Sequence, residues 1–499
     1  MIIKKEQSEI ENFLVDAANY KGYCDAVYYP ETETEVIEII KKANIRKTKI
    51  TVAGNGTGLT GARVPEGGIV ISTNKLNKII EINKKEKFAV VQPGVILVEF
   101  QERISENNLF YPPDPTEQNC FIGATVATNS SGAKTFKYGA TRNYVLELRI
   151  VLPTGEILNL KRGEVFANNN SFILVTETGK EIKVQIPEYK IPETKNTAGY
   201  YIKKKMDAID LFIGSEGTLG VITQIKLKLL PKEDNLISGI LFFYNEADAL
   251  DFVDDARLQS RKHNKIKDES NINARGIEFF DYYSLQFLKE DYPQINDQHN
   301  AAVWFEQETT ENTEEVLFEK WMNLMEKYSA DIENSWFAID KSELDKFKTF
   351  RHAISSKVSE IITKRGLRKV GTDTAVPVEQ FHKYYEEMKQ AVNTENIDYI
   401  CYGHIGDCHL HLNMLPKNET EFVKAKTLYQ LFCKRAAELG GTVSAEHGIG
   451  KMKRDYLLEM YGKENIIQMA KIKRTFDPNL ILGIGNIFDE HFLKTTYDT

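Results

Sequence analysis

Three glycine-rich segments in the first half of the chain constrain its fold more than any other feature. They are Gly54 to Gly61, Tyr111 to Gly132 and Gly214 to Gly220. Glycine adopts backbone conformations that other residues avoid, and its missing side chain lets a ligand approach the backbone. Hydroxyl and amide side chains between the glycines supply donors for phosphate oxygens. Together the segments predict the binding of one large cofactor that contains a pyrophosphate.

The first segment also satisfies the G-x-G-x-x-G pattern of dinucleotide-binding loops, from Gly56 to Gly61. In a Rossmann fold such a loop opens a helix. Here Pro65 and two consecutive glycines, Gly67 and Gly68, follow and prevent a continuous helix. A P-loop is excluded because no Gly-Lys-Ser/Thr sequence follows. A tight structural turn is the alternative for this segment alone, whereas the two later segments favour cofactor binding.

Short apolar strands, among them Val145 to Val151, alternate with helices over residues 1–231 and predict an α+β domain. Residues 1–47 predict two helices around a tyrosine-rich link that ends at Pro30.

The segment Pro231-Lys-Glu-Asp-Asn is predicted as the domain boundary. Residues 232–415 predict a second α+β domain with an antiparallel sheet, in which Glu306 to Glu319 form a solvated helix face. Residues 416–499 predict a helical carboxyl-terminal segment with a helix from Glu421 to Leu439.

Composition excludes several classes of protein. Lys and Arg total 64 against 72 Asp and Glu, so the net charge is −8 and nucleic acid is not an expected partner. No apolar run approaches the ~18 residues that cross a bilayer, and Met1 to Ser8 contain no secretory core. The five cysteines form no Cys-x-x-Cys. We expect a cytoplasmic protein, with a peripheral position at the inner membrane through a partner as the alternative.

Residues 407–414 alternate between polar and apolar types, which predicts a strand. The residues on its polar face are Asp407, His409, His411 and Asn413. Farther along, Glu446 and His447 add a carboxylate and an imidazole. Two histidines and one carboxylate are typical of an open divalent-metal site. Spacing alone favours His409 and His411 as the neighbouring pair.

The order and the amino-acid sequences of the glycine-rich motifs resemble those of the vanillyl-alcohol-oxidase and p-cresol-methylhydroxylase (PCMH) superfamily of FAD proteins. The segments Tyr402 to Asn413 and Ser444 to Gly450 are similar to the flavin-linked D-2-hydroxyacid dehydrogenases. This resemblance implies a PCMH-type FAD-binding domain at 1–231 and a substrate or cap domain of the FAD-linked oxidase type at 232–415. It also implies that the helical segment 416–499 returns to the flavin.

The resemblance implies that FAD contacts lie along the glycine-rich segments. Some members of the superfamily carry a histidine near the position of Thr57 for a covalent link to the flavin, so we expect FAD to be held non-covalently here. The expected contact residues are Gly54, Asn55, Gly56, Thr57, Gly58, Leu59, Thr60, Pro113, Asp114, Thr116, Gly123, Thr125, Thr128, Asn129, Gly132, Gly139, Glu216, Gly217 and Ile222.

For the chemistry, the resemblance implies a divalent metal, expected to be zinc, and a small set of residues around a 2-hydroxyacid. The implied metal ligands are His404, His411 and Glu446; the implied catalytic residues are His447 as base, Arg351 as carboxylate clamp and Asn413 beside the substrate. Relatives commonly carry an amide residue at position 409. His409 is therefore expected to be either an extra ligand or a group that supports one.

The expected reaction is FAD-dependent oxidation of a D-2-hydroxyacid. Some relatives place a substrate-binding lysine where Gly371 stands, which favours D-lactate over D-2-hydroxyglutarate; glycolate is a further alternative. A metal-dependent hydrolase would leave the glycine-rich segments unexplained. A flavin-carrying electron-transfer subunit would leave Arg351 and His447 unexplained. The electron acceptor stays open among a quinone, a cytochrome, an electron-transfer flavoprotein and an iron–sulfur subunit.

Overall fold

The computed structural model describes residues 1–232, 235–266 and 269–495, and the chain divides into two compact units. Unit 1 comprises Met1–Ser131, Ala140–Lys232 and Ser444–Thr499, and unit 2 comprises Gly132–Gly139 and Glu233–Val443. The chain passes from unit 1 to unit 2 after Lys232, within the predicted boundary segment at 231–235. Residues 233 and 234 of that segment are outside the described residues. The segment expected at 416–499 is divided, because its residues up to Val443 group with unit 2.

The strands alternate with helices along most of the chain. In chain order they are β1 (Ile2–Lys4), β2 (Ala26–Tyr29), β3 (Ile50–Ala53), β4 (Ile69–Ser72), β5 (Ile79–Asn83), β6 (Phe88–Val91), β7 (Leu109–Phe110), β8 (Val145–Val151), β9 (Ile157–Lys161), β10 (Ser171–Val175), β11 (Glu181–Gln185), β12 (Val221–Lys228), β13 (Leu230–Pro231), β14 (Asn235–Phe243), β15 (Gly276–Asp281), β16 (Ala301–Thr309), β17 (Trp336–Ala338), β18 (Val370–Gly371), β19 (Tyr399–Gly403) and β20 (His411–Met414).

The helices range from single turns to 24 residues. In chain order they are α1 (Gln7–Ile10), α2 (Glu33–Arg46), α3 (Leu97–Ser105), α4 (Ile122–Thr128), α5 (Thr135–Tyr138), α6 (Glu246–Ile266), α7 (Tyr282–Leu288), α8 (Glu314–Lys327), α9 (Lys341–Lys364), α10 (Phe381–Thr394), α11 (Glu419–Glu438), α12 (Arg454–Phe476) and α13 (Glu490–Thr495). In the described ranges, no helix combines the length and the apolar character that crossing a membrane requires.

Unit 1 contains a four-stranded sheet in the order β1-β2-β4-β3, in which β4 pairs in parallel with both β2 and β3. Helix α2 covers it because apolar residues recur at helical spacing, at Val36, Ile39, Ile40 and Ala43, and pack with Ile50. The Thr32 side chain caps its first turn by accepting from the Glu35 amide.

The prediction of two helices before residue 47 is wrong in part. Helix α1 is one turn, and the tyrosine-rich link is the strand β2, which pairs with β1 and β4. The sequence of β2, Ala-Val-Tyr-Tyr, favours a strand because aromatic and β-branched side chains pack well on a pleated surface.

A second sheet of unit 1 has the order β5-β6-β12-β8-β9 and is antiparallel throughout. Along β12, the side chains at 221, 223, 225 and 227 are buried and their neighbours are more exposed, so one face of the strand joins the core. The strand starts directly after Gly220, which places the third glycine-rich segment at its amino-terminal end.

Unit 2 is built on one seven-stranded antiparallel sheet in the order β17-β14-β16-β15-β19-β20-β18. Helix α9 packs on it through a stripe that includes Phe350, Ile354 and Val358, which join Phe280 and Trp304 in one core. Arg351 follows Phe350 in the same helix. Packing of the apolar stripe therefore fixes the backbone position from which the Arg351 side chain extends.

The prediction of a solvated helix face from Glu306 to Glu319 is wrong for its first part. Residues 301–309 form β16 in the middle of the sheet, and Glu306 is only 2% exposed. Its carboxylate lies 3.4 Å from the Arg275 guanidinium, which compensates the buried charge. Helix α8 begins only at Glu314.

Candidate active site

Three imidazoles of unit 2 lie together where β19 passes into β20. The predicted strand at 407–414 is wrong for residues 407–410, because residues 405–407 form a single 3-10 turn and Cys408 is left-handed. The turn brings back His404 and His409, so that both lie beside His411. The ring centroids are 5.6 Å apart for His404 and His409, 5.9 Å for His404 and His411, and 4.5 Å for His409 and His411.

Each of these imidazoles has an oxygen atom close to one ring nitrogen. His404 Nδ1 is 2.6 Å from Glu278 Oε1, and His411 Nδ1 is 2.9 Å from the carbonyl oxygen of Thr372, and both contacts are hydrogen bonds. His409 Nε2 is 3.2 Å from Asp373 Oδ1, an ion-pair distance without hydrogen-bond geometry. Carbonyl and ionised carboxylate oxygens only accept, so Nδ1 donates in His404 and His411 and Nε2 of both rings carries the lone pair. Rings held in this way are typical of histidines that bind a metal.

The geometry therefore fits a divalent cation, since potential ligand atoms of the three histidines lie within 4.8 Å of one another. Sequence reasoning missed a residue that shapes the turn. The buried Arg257 donates from Nε to the carbonyl of Gly406 at 3.1 Å, and a second guanidinium nitrogen donates to the carbonyl of Ile405 at 2.8 Å. An arginine within the charged helix α6 gave no signal of this contact, which spans 149 residues.

Arg351 and His404 share one carboxylate. Arg351 Nε lies 3.4 Å from Glu278 Oε2, and the other oxygen of Glu278 holds His404. Glu278 is nearly fully buried, and the Arg351 guanidinium also lies over the Trp304 ring, 5.7 Å from its centroid. The predicted carboxylate clamp and a predicted metal ligand are thus oriented by the same group, which sequence reasoning also missed.

Asn413 faces a small neighbour across the strand pair β18–β20. It is buried, and its Nδ2 donates to the carbonyl of His411 at 3.0 Å. In the register, Asn413 is opposite Gly371. A Cβ atom at position 371 would lie 2.6 Å from Asn413 Oδ1, so any larger residue there would displace the amide.

In unit 1, the predicted ligand Glu446 is already paired with a cation. Its carboxylate accepts from the Lys195 ammonium and, at 3.2 Å, from Ser131 Oγ. The Lys195 side chain is almost completely buried. Sequence reasoning missed this lysine, because its partner lies 251 residues away.

The Glu216 side chain holds the loop that follows His447 through hydrogen bonds. Its two carboxylate oxygens accept from the amides of Ile449 and Gly450 at 2.7 Å and 2.6 Å. Burial raises the pKa of Glu216 to about 7, against the lowering effect of those two amides and of Lys453 and Lys451. The family resemblance implies that Glu216 contacts FAD; in the structure its carboxylate accepts from two backbone amides of the protein.

The first glycine-rich loop connects β3 to β4. Residues 54–68, which the structure describes in full, form turns without a helix, so the Rossmann alternative is wrong. Asn55, Gly58 and Leu59 are exposed, and Thr57 is half-buried. Thr60 is buried, and its carbonyl accepts from the amide of Lys451 at 2.8 Å, which joins this loop to the segment after His447.

The chain after α12 also lies against this loop. The amide of Gly483 donates to the carbonyl of Ile50 at 2.8 Å, and Asn486 Nδ2 donates to the carbonyls of Ala62 and Glu216 at 2.9 Å and 3.0 Å. The sequence predicts that this tail folds back beside the cofactor. In the structure it packs on the loop that was expected to hold the pyrophosphate.

In the second glycine-rich segment, the polar side chains hold the segment itself. Thr125 Oγ1 donates to the carbonyl of Ile122 at 2.8 Å, and Thr128 Oγ1 donates to the carbonyl of Ala124 at 3.0 Å. The Asn129 side chain accepts from the amide of Arg142 at 2.9 Å. A Cβ atom on Gly123 would lie 2.4 Å from Pro93 Cβ, so this glycine is required by packing as well.

The remaining expected FAD contacts are distributed over both units. Pro113 and Asp114 are buried in unit 1, Thr116 is exposed, and Ile222 is paired with Ile150 in β12. Gly132 and Gly139, in contrast, bound the short segment that groups with unit 2. The structure therefore brings most but not all of these residues into one unit.

Two family models match the chain and together cover most of it. A FAD binding domain matches residues 24–161, and the C-terminal domain of FAD linked oxidases matches residues 258–487. The first match contains the first two glycine-rich segments. The second contains the three clustered histidines, Arg351 and Asn413.

Curated relatives match along almost their whole length. The D-lactate dehydrogenase of Archaeoglobus fulgidus is 30% identical over 474 residues, which cover 92% of this chain and 90% of the relative. Glycolate oxidase subunit GlcD of Bacillus subtilis is 29% identical, with 94% and 90% covered. The D-2-hydroxyglutarate dehydrogenase of Stutzerimonas stutzeri is 27% identical, with 93% and 90% covered.

Among solved structures, an alkyldihydroxyacetonephosphate synthase has a similar fold, with a TM-score of 0.68 over 96% of this chain and 81% of the other. The two sequences are 16% identical, so this similarity concerns the fold alone.

Proposed function

Since the chain belongs to the FAD-linked oxidases of the D-lactate, glycolate and D-2-hydroxyglutarate dehydrogenase type, and is an FAD-dependent oxidoreductase, we propose that it oxidises D-lactate to the 2-oxoacid. The observation that carries the proposal is the histidine cluster of unit 2, in which hydrogen bonds orient His404 and His411, and Glu278 is also an ion-pair partner of Arg351. An electron-transfer subunit without its own substrate would not need this arrangement.

We propose that His404 and His411 hold a zinc ion, with Glu446 as the third ligand that the family resemblance implies. When bound, the cation lowers the pKa of a coordinated hydroxyl group and fixes its position. His404 and His411 fit this role because Glu278 and the Thr372 carbonyl fix their ring orientations. Glu446 fits it as a carboxylate whose side chain is only 10% exposed and which pairs with Lys195.

The chain's own side chains then act on the substrate in three ways. His447, as a neutral imidazole, takes the proton of the α-hydroxyl group. Arg351 binds the substrate carboxylate through paired, charge-assisted hydrogen bonds. Asn413 donates to or accepts from the substrate through its buried amide.

FAD, when bound, accepts the hydride that leaves the α-carbon. We propose that its pyrophosphate lies against residues 54–61, whose exposed backbone at Asn55 and Gly58 leaves room for a ligand. Since Thr57 offers no side chain for a covalent flavin link, acid precipitation should release all FAD into the supernatant. Flavin retained in the pellet would contradict non-covalent binding.

The substrate preference follows from the residues around Asn413. Gly371 offers no second cation for a dicarboxylate, and the close approach to Asn413 leaves little space for one. We therefore expect D-lactate to be preferred over D-2-hydroxyglutarate. Glycolate lacks the methyl group that a hydrophobic contact would use, and its rate should be lower.

An anaerobic stopped-flow comparison of D-lactate, glycolate and D-2-hydroxyglutarate tests the proposal. We expect D-lactate to bleach the flavin fastest, and zinc removal by a chelator to stop bleaching without releasing FAD. Preference for D-2-hydroxyglutarate would refute the substrate assignment, and full activity of metal-free protein would refute the metal. As acceptors we propose a quinone, a cytochrome, an electron-transfer flavoprotein or an iron–sulfur subunit, which rates of flavin reoxidation would distinguish.

A further inference from the structure

We propose that His409 is a direct zinc ligand in this chain, so that unit 2 by itself supplies three imidazoles to the cation. The inference deepens the proposed function, and it rests on that proposal only in taking a divalent cation as the bound species. It concerns a residue that the family resemblance leaves outside the ligand set.

The position of His409 supports this role as strongly as the positions of the two implied ligands. Its ring is fully buried, and of the three ring pairs its distance to His411, 4.5 Å between centroids, is the shortest. Ligand atoms of all three histidines lie within 4.8 Å of one another. His404 precedes the turn at 405–408 and His409 follows it. Because this turn reverses the chain, both imidazoles lie beside His411.

The three histidines also have similar surroundings. Each has an oxygen atom close to one ring nitrogen: Glu278 for His404, Asp373 for His409 and the Thr372 carbonyl for His411. A carboxylate next to a histidine favours one tautomer and makes the opposite nitrogen a better ligand. Asp373 lies beside His409 as Glu278 lies beside His404, at 3.2 Å against 2.6 Å.

The buried carboxylates point the same way. Glu278 and Asp373 are both almost completely buried, at 3% and 1% exposure. Each lies beside one of the clustered imidazoles. A zinc ion bound by those imidazoles would place a positive charge one ring away from each carboxylate, which reduces the cost of burying them.

X-ray absorption spectroscopy of the native protein loaded with one equivalent of zinc tests the inference without any substitution. We expect the zinc spectrum to require three imidazoles. A spectrum fitted by two imidazoles, or zinc that does not bind, would overturn the inference.

Chelator competition on variants gives an independent readout. His409→Asn should weaken zinc binding by at least about 100-fold, and Asp373→Asn by about 10–100-fold, as is typical of groups behind a ligand. The matched control is His299→Asn, since His299 is equally buried and its Nε2 lies 2.9 Å from Asp331 in the same unit. Unchanged zinc affinity in His409→Asn would contradict the proposal.

These readouts also separate this inference from the proposed function. Zinc held by three imidazoles in a protein that no 2-hydroxyacid reduces would keep the inference and refute the function. Zinc held by two imidazoles in a protein that D-lactate reduces would do the reverse. Thermal unfolding of each variant shows whether a weakened affinity arises from loss of the fold.

Discussion

The glycine-rich segments of unit 1 and the histidine cluster of unit 2 use the chain in opposite ways. In unit 1, polar side chains such as Thr125, Asn129 and Glu216 bind the protein's own backbone. In unit 2, the backbone turn at 405–408 and the buried acceptors Glu278 and Asp373 serve to orient side chains. The first region shapes a backbone surface, and the second presents reactive side-chain atoms.

The two regions should therefore respond differently to substitution. Changes in the glycine-rich segments should act mainly through stability, because the side chains there hold loops in place. Changes at side chains assigned to the reaction should act on rate and binding while the fold is retained. The predictions that follow test this distinction, beginning with the largest expected effect.

His447→Ala should slow flavin reduction by D-lactate by about 10²–10⁴-fold, the usual contribution of a general base. The exposed His491 offers a matched control, and His491→Ala should leave the rate unchanged. FAD content and thermal stability should be the same in both variants. A normal rate of reduction in His447→Ala would remove the base from the mechanism.

Arg351→Ala should lower kcat/KM, at a cost of about 2–4 kcal/mol in transition-state binding, because it removes the proposed charge-assisted contact with the substrate carboxylate. Arg351→Lys keeps the charge but not the paired geometry, so its kcat/KM should lie between those of the unsubstituted protein and Arg351→Ala. Since Glu278 also holds His404, zinc affinity must be measured in parallel. A loss of kcat/KM fully explained by zinc loss would show that Arg351 acts only through Glu278.

Glu216→Gln should change the pH dependence of stability. The pKa of Glu216 is raised from 4.5 to about 7 in the folded protein, so the folded state binds this proton more tightly than the unfolded chain. Stability is therefore lost as pH rises through that range, by up to about 3 kcal/mol. Urea unfolding at several pH values should show a weaker decline in Glu216→Gln. Identical slopes would mean that the carboxyl group titrates normally.

Asn129→Ala should give the smallest effect. Asn129 has a left-handed backbone with φ of 49°, and its side chain accepts from the Arg142 amide. Alanine loses the hydrogen bond and is disfavoured in that conformation, at a combined cost of about 2 kcal/mol. Asn129→Gly loses only the hydrogen bond and should be more stable than Asn129→Ala. Equal stability of the two variants would show that the backbone relaxes.

Much of the fold could be predicted from the sequence where apolar periodicity was strong. The strand predicted at Val145–Val151 has those bounds in the structure, and the helix predicted at Glu421–Leu439 is α11, Glu419–Glu438. The family resemblance is confirmed by the matching family models and relatives. Glu306 was misread because local charge does not reveal that a central strand is covered on both faces.

The site could be predicted only in its residue types. The alternation of polar and apolar residues predicts a strand through His409, whereas the structure has a turn there. The chain can reverse because Gly403 has a φ of 134° and Cys408 is left-handed. Glu278 and Lys195 were missed since each acts on a residue more than a hundred positions away. No spacing rule connects such pairs, and only the tertiary fold brings them together.

The most direct test of the account is anaerobic flavin reduction by the two enantiomers of lactate. In the proposed active site, a fixed cation, Arg351 and His447 would allow only one face of the α-carbon to meet the flavin. D-lactate should therefore bleach the flavin in a single turnover, and L-lactate should leave it oxidised over the same time. Equal reduction by both enantiomers, or reduction by neither, would contradict the proposed active site.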